Sequence, residues 1–80
     1  GSAKELMQIL LDKSFNELKL HTLKLEVFSD NQRAIKFYTK CGFSWEGLLR
    51  EHFLRSDGIF VDLMIMGMID SEYKKLAILK

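Results

Sequence analysis

The apolar and polar positions in the first part of the chain change from a helical spacing to a strand-like one. Apolar residues recur every three or four positions between residues 3 and about 17, which is the period of an amphipathic helix. Residues 22–28 instead have the strand period of two, with Leu23, Leu25 and Val27 on one face, as half-buried strands do. We therefore predict a helix followed by a strand.

The segment after this strand carries the signals of a helix start. Ser29 and Gln32 fit a capping box, while Asp30 and Asn31 are alternative N-cap residues. Each of these side chains can accept hydrogen bonds from the backbone amides that lack partners in a first helical turn. A second helix is therefore predicted to begin here.

The same helix is predicted to end after about three turns. Its apolar face is formed by Ala34, Ile35, Tyr38 and Cys41. Gly42 can take the left-handed conformation that ends a helix, and Phe43 can then pack back near Tyr38. The helix should stop at this glycine, with one phenol on its packed face.

The rest of the chain has the composition of an antiparallel hairpin. Residues 43–54 and 59–69 are rich in β-branched and aromatic residues, and an Asp-Gly pair between them favours a tight turn. Gly47 indicates a β-bulge in the first of these strands, and residues 72–79 could add one or two helical turns. The predicted order is helix, strand, helix, strand, strand, which is typical of an α/β or α+β fold.

Length, charge and cysteine content narrow the class of protein. Eighty residues form one small domain, and a net charge of +1 gives no broad attraction for nucleic acid. The longest apolar run, residues 59–69, is interrupted by Asp62 and is far below the ~20 residues of a membrane-spanning helix. The single Cys41 cannot form an internal disulfide, which favours a reducing compartment such as the cytoplasm. Neither nucleic acid nor a membrane is a predicted partner.

One spacing in the second helix carries the main functional information. The pattern Asn-x-x-Ala-x-x-x-Tyr-x-x-x-Gly-Phe is filled by Asn31, Ala34, Tyr38, Gly42 and Phe43. With the preceding strand, it resembles the coenzyme-A side of the GNAT acetyltransferase superfamily. The order of elements is similar to the C-terminal half of a GNAT acyl-CoA N-acyltransferase fold. The resemblance implies one partial domain over residues 1–80, with a mixed sheet in which the last strand lies between the other two.

Two further runs narrow the resemblance. The run Glu-Gly-Leu-Leu-Arg-Glu-His at residues 46–52 and the ending Met-Gly-Met-Ile at residues 66–69 are similar to amino-sugar-nucleotide N-acetyltransferases of pseudaminic-acid biosynthesis. The same strands also resemble acetyltransferases of ribosomal-protein N-termini. The implied acceptor is a small-molecule primary amine such as an amino-sugar nucleotide, with a ribosomal-protein or peptide N-terminus as the alternative.

The resemblance implies direct transfer of an acetyl group from acetyl-CoA to the amine, without a covalent enzyme intermediate. Tyr38 matches the position whose phenol protonates the departing CoA thiolate, which makes it the candidate general acid. Asn31 matches a position whose amide meets the pantetheine arm of the cofactor, and Arg33 near the same helix start could reach a phosphate. The candidate cofactor-binding residues are Asn31, Arg33, Ala34 and Tyr38.

Part of the family pattern is absent from these residues. The pyrophosphate loop should precede the helix at residue 3, and only Gly1 could belong to it. The neighbouring strand and the acceptor-binding N-terminal half are missing, and Gly1-Ser2 resembles a cloning remnant, with a native glycine as the alternative. The chain alone is therefore predicted to be an inactive fragment. Its open edge at residues 22–28 predicts a homo-oligomer or a swapped dimer.

Less specific explanations compete with these assignments. A tyrosine on the apolar face of a helix is more often a core residue than a catalyst, and Cys41 is better explained as a small hydrophobe than as a nucleophile. His21 and His52 have no companion at metal-ligand spacing, so no metal site is predicted. Three acidic residues fit either strand charge pairs or an acceptor-amine site: Glu46, Glu51 and Asp62. The competing function is a non-catalytic assembly module that pairs through its open sheet edge.

Overall fold

The secondary-structure elements follow one another in the predicted order. The computed structural model describes residues 2–78. These form α1 (Ala3–Asp12), a π-helical turn (Lys13–Glu17), β1 (Thr22–Phe28), α2 (Gln32–Cys41), β2 (Ser44–Leu54), β3 (Phe60–Ile69) and α3 (Asp70–Ile78). The turns predicted at residues 72–79 belong to α3, and the last of those residues lies outside the described range. No helix within residues 2–78 has both the length and the apolar composition needed to cross a membrane.

Three strands form one antiparallel sheet in the order β1-β3-β2. Leu25 of β1 lies opposite Met66 of β3, and Leu48 of β2 lies opposite Met64. The predicted central position of the last strand is confirmed. The predicted mixed sheet is wrong for the strands described, because both hydrogen-bonded pairs are antiparallel. β1 and β2 run in the same direction, but β3 lies between them.

All three helices share one core with the sheet. Its buried residues are Leu11, Phe15, Val27, Phe43, Met66, Met68 and Tyr73. Four residues of α2 pack against them, namely Ala34, Ile35, Tyr38 and Cys41. The predicted apolar face of α2 is therefore confirmed, and it holds this helix against the sheet.

The start of α2 is fixed by one of the three predicted caps. Asn31 is the N-cap residue, and its side-chain oxygen accepts a hydrogen bond from the Ala34 amide at 3.2 Å. The capping box predicted for Ser29 and Gln32 is wrong, because the helix begins two residues later than that pairing requires. The side chain of Asn31 thus has a structural role at the helix start.

The end of α2 follows the prediction. Gly42 has a φ of 106°, and its amide donates to the Thr39 carbonyl at 3.1 Å. The Phe43 amide donates to the Tyr38 carbonyl at 3.0 Å. These two bonds form a Schellman motif, which leads the chain directly into β2.

The first predicted helix changes its hydrogen-bond pattern before it ends. It is α-helical to Asp12, and the Leu18 amide then donates to the Lys13 carbonyl at 2.9 Å, five residues back. The wider turn buries both Ser14 and Phe15. A uniform helix to about residue 17 is therefore wrong in detail, because the apolar spacing does not report the extra residue in this turn.

β2 has two irregularities opposite β3. The first lies at Gly47, as predicted, where β2 carries one residue more than β3. The second inserts two residues between Leu49 and Phe53. There Glu51 has a φ of 47°, and its amide donates to the Asp62 carboxylate at 2.6 Å.

A buried phenol joins α3 to the end of α1. Tyr73 is 4% exposed and stacks on Phe15 with ring centroids 5.0 Å apart. Its hydroxyl accepts a hydrogen bond from the Asn16 amide at 2.9 Å and donates one to the Asp12 carboxylate. The hydrogen bond to Asp12, together with burial, raises the pKa of Tyr73 above its ordinary value.

We expect Tyr73→Phe to lower the free energy of unfolding of the 80-residue chain by about 1 to 3 kcal/mol at neutral pH, because the partners of the hydroxyl lose a buried hydrogen bond. The folded phenol has the raised pKa. Its contribution is therefore fully present below the unfolded value of about 10 and is lost as the pH rises through the folded pKa. Urea unfolding at about pH 7 and pH 11 should show the difference between the two proteins shrinking. An equal difference at both pH values would contradict this account.

Candidate functional site

Three of the four predicted cofactor-binding residues line one cavity beside the end of β1. This cavity, the Tyr38 cavity, has a volume of about 380 Å³. Its lining residues are Glu26, Val27, Phe28, Asn31, Ala34, Tyr38, Phe53 and Leu63. Asn31, Ala34 and Tyr38 are spaced by three and four residues, so α2 places them on one face. Local helix geometry is therefore sufficient to assemble this side of the cavity.

Tyr38 is held by packing on its ring rather than by hydrogen bonds to its hydroxyl. The ring is half-buried and meets Phe43 and Phe37 edge-on, with centroids 5.9 and 5.5 Å away. Among residues 2–78, no group hydrogen-bonds the Tyr38 hydroxyl. A fixed ring with an unpaired hydroxyl can donate its proton to a bound molecule.

Asn31 and Arg33 differ in their relation to this cavity. The side-chain oxygen of Asn31 caps α2, which leaves the two N–H donors of its amide for a ligand. Arg33 is exposed and does not line the Tyr38 cavity. The structure therefore groups Asn31 with Tyr38 and leaves Arg33 apart, at the outer surface of the helix start.

The sequence did not single out the residues on the other side of the cavity. Glu26 belongs to the polar face of β1, where a solvated strand residue is the ordinary explanation. Phe28 and Phe53 are in ring contact at 5.2 Å although they lie on the two outer strands. The only available signal was the place of Glu26 and Phe28 at the end of the strand that leads into the motif helix. Phe53 gave none, because its position depends on the bulge in β2.

The three acidic residues of the hairpin lie away from Tyr38. Glu46 forms an ion pair with Lys24 at 3.2 Å, and Asp62 accepts the Glu51 amide in the second bulge. None of the three lines the Tyr38 cavity. These contacts favour the interpretation of Glu46 and Asp62 as partners within the sheet.

Cys41 lies near the opposite end of α2, beside a separate cavity of about 240 Å³ between the three helices. Burial raises the pKa of the Cys41 thiol, and the charge of Lys4 partly offsets this effect. A thiol that stays protonated is a weak nucleophile, which favours a packing role. Within residues 2–78, no three His, Cys, Asp or Glu side chains are grouped so as to hold a metal ion.

Comparison with known proteins identifies the family. The sequence profile of the Acetyltransferase (GNAT) family matches residues 1–43, which include α1, β1, α2 and the motif tyrosine. The chain belongs to the GNAT acetyltransferase family. Its antiparallel β1-β3-β2 sheet and flanking helices form the C-terminal half of the GNAT fold.

Several N-acetyltransferases resemble this GNAT chain over most of its length. Spermidine N(1)-acetyltransferase of Vibrio cholerae is 38% identical over 73 residues, which cover 91% of this chain and 42% of the relative. L-amino acid N-acetyltransferase AaaT of Escherichia coli is 38% identical over 69 residues, covering 86% and 42% of the two chains. The crystal structure of spermidine/spermine N-acetyltransferase SpeG from Vibrio cholerae matches with a TM-score of 0.89 and 37% identity, over 95% of this chain and 44% of SpeG.

These relatives confirm the fold and the family but not the predicted subfamily. The chain spans less than half of their length. They are named for spermidine, spermine and L-amino acids, and the resemblance to amino-sugar-nucleotide and ribosomal-protein acetyltransferases finds no support among them. A further solved structure shows the Vibrio cholerae spermidine enzyme as a dodecamer; it matches with a TM-score of 0.86 and 38% identity, over 91% of this chain and 42% of that one.

Proposed function

We propose that the whole protein containing this chain is an acetyl-CoA-dependent N-acetyltransferase that acts on a small cationic amine. The observation that carries the proposal is the Tyr38 cavity, whose lining includes the motif residues Asn31 and Tyr38 together with the strand residue Glu26. Relatives named for spermidine and for L-amino acids support this class of acceptor, because both molecules carry ammonium groups at neutral pH.

Each proton of the proposed reaction has a destination. Glu26 attracts the acceptor's ammonium group and takes one of its protons, which frees the nitrogen lone pair for attack on the thioester carbonyl. As the new C–N bond forms, the C–S bond breaks, and Tyr38 protonates the departing thiolate. The acylated nitrogen then releases the proton that restores the phenol, and Glu26 passes the proton that it took to solvent. Transfer is direct, so no bond forms between the protein and the acetyl group.

The face of α2 toward the cavity supplies the cofactor contacts in this proposal. The free N–H groups of Asn31 donate to the pantetheine arm of acetyl-CoA. Ala34, one turn later, is small enough to let that arm approach the helix, and Arg33 at the outer surface reaches a phosphate. The remaining contacts belong to the part of the whole protein that its relatives have and residues 1–80 do not cover.

An assay of the whole protein tests the proposal. Purified protein is incubated with acetyl-CoA and one amine at a time, and free CoA thiol is measured with spermidine, an L-amino acid, an amino-sugar nucleotide and a peptide N-terminus as acceptors. We expect release with spermidine or the amino acid. Absence of thiol release with every amine would refute the proposed function.

Glu26→Gln in the whole protein should raise the KM of the cationic acceptor about tenfold or more, lower kcat and leave the KM of acetyl-CoA unchanged, because the variant keeps the shape of Glu26 but loses its charge and its ability to take a proton. Glu17→Gln removes an equivalent charge from the π-helical turn and serves as the control. An unchanged acceptor KM in Glu26→Gln would remove this residue from the acceptor site.

The open edge of β1 favours a second property, which is self-association. Among the described residues, no strand pairs with the outer side of β1, so its backbone groups are available to another chain. We expect the 80-residue chain to form a homodimer or a swapped assembly at ~100 μM, with unfolding that depends on protein concentration. A monomer mass by light scattering, with concentration-independent unfolding, would contradict this expectation.

A further inference from the structure

Two aromatic rings line both the Tyr38 cavity and a second cavity beside it. Phe28 and Phe53 lie 5.2 Å apart between ring centroids and line both spaces. The second space, the hairpin-tip cavity, has a volume of about 650 Å³. Its other lining residues are Leu54, Arg55, Ser56 and Asp57. The two cavities are therefore neighbours whose linings share these two rings.

The second bulge of β2 places an aromatic residue, Phe53, opposite Val61 of β3. Leu49 lies opposite Leu63, so regular pairing would place Glu51 opposite Val61. The two inserted residues place Phe53 there instead. The Asp62 carboxylate holds the bulge through the Glu51 amide at 2.6 Å. Phe53 therefore reaches Phe28 only because the strand is irregular.

Arg55 ties the tip of the hairpin to the start of α2. Its guanidinium contacts the Asp30 carboxylate at 2.9 Å and the Asp57 carboxylate at 2.7 Å. Asp30 immediately precedes the N-cap of α2, while Asp57 belongs to the turn between β2 and β3. All three side chains are partly exposed, and such ion pairs add little to stability. They join the hairpin tip, two residues after Phe53, to the residue before the N-cap of α2.

We propose that Phe53 determines the shape of acceptor that the site admits, and that Arg55 is the positioning residue that holds Phe53 in place. The inference rests on the proposed function. With the rings in contact, the Tyr38 cavity admits slender aliphatic primary amines and excludes amines with a bulky aryl group beside the nitrogen. The hairpin-tip cavity becomes available to such groups when the ring of Phe53 is absent.

The test measures kcat/KM of the whole protein for two acceptors, spermidine and benzylamine. In Phe53→Ala we expect the ratio of benzylamine to spermidine to rise about tenfold or more, with the KM of acetyl-CoA unchanged. Phe53→Leu, which keeps an apolar side chain and more of the packing, should shift the ratio in the same direction by less. The matched control is Phe60→Ala, which removes an exposed ring of the same hairpin that lines neither cavity.

The test of Arg55 uses the same ratio of kcat/KM values, because a general loss of stability would lower both values together and leave their ratio unchanged. Arg55→Met should raise the same ratio, and Arg55→Lys, which keeps one positive charge, should restore part of the original preference. Lys13→Met removes an exposed positive charge from the π-helical turn, away from Asp30 and the hairpin, and serves as the control. Parallel losses for both acceptors, or a ratio in Phe53→Ala equal to that of Phe60→Ala, would overturn the inference while the wild-type protein remains active. An inactive wild-type protein would remove the proposed function and this inference together.

Discussion

Replacing Tyr38 by Phe in the whole protein is expected to lower kcat for acetyl transfer about ten- to a thousandfold, because general acid help usually contributes 10²–10⁴. The ring would keep its contacts with Phe43 and Phe37, and the Schellman motif uses only the backbone of Tyr38. Affinity for acetyl-CoA should therefore stay nearly constant. A fall in kcat at unchanged acetyl-CoA affinity is the signature of an interaction made in the transition state.

The chain contains a second tyrosine, which provides the matched control for this experiment. Tyr73 lies between α1 and α3, and its hydroxyl is engaged by Asp12 and Asn16. Tyr73→Phe should leave kcat unchanged at temperatures where the variant is folded, although it lowers stability. Rates of Tyr38→Phe equal to wild type from about pH 6 to 9 would remove Tyr38 from the mechanism.

The second large effect is expected on stability, at the end of α2. Gly42→Ala should lower the free energy of unfolding by about 2 to 4 kcal/mol, since two costs coincide there. The φ of 106° disfavours any side chain, and an added Cβ would stand 2.6 Å from the Leu76 Cδ1 atom and 3.1 Å from the Met68 Cε atom. Thermal or urea unfolding of the 80-residue chain measures the loss.

Substitutions at two other glycines measure the backbone cost separately from the cost of the close contacts. Gly58 has a φ of 84° and nothing within 4 Å of an added Cβ, so Gly58→Ala carries the backbone cost alone, about 1 kcal/mol. Gly47 has neither a left-handed φ nor a close neighbour, so Gly47→Ala should change stability by less than about 1 kcal/mol. Equal losses for Gly42 and Gly58 would show that α3 does not press on the end of α2.

The elements that could be predicted from the sequence are those set by local rules. The strand alternation of β1, the turn of the hairpin and the glycine stop of α2 each depend on residues within a few positions of one another. The prediction of a capping box was wrong because three consecutive polar residues can each cap this helix, and packing selects among them. The mixed sheet failed because pairing between distant strands is not a local property.

The candidate site divides in the same way. Asn31, Ala34 and Tyr38 lie on one helix face, so their grouping could be predicted from their spacing and the family resemblance alone. Glu26 and Phe53 reach the same cavity from two different strands. Their approach requires β3 between those strands and two inserted residues in β2, and neither condition can be seen in a periodic pattern.

The amino-acid sequence was enough to predict the order of elements, the packed face and ends of α2, and the motif that relates this chain to GNAT acetyltransferases, because helix and turn chemistry act over three to five residues. Three features became visible only in the folded chain: the antiparallel pairing of β1 with β3, the ion pair of Arg55 with Asp30 and the aromatic pair beside Tyr38. These features join residues far apart in the chain, whose approach is set by strand register and by burial of the shared core.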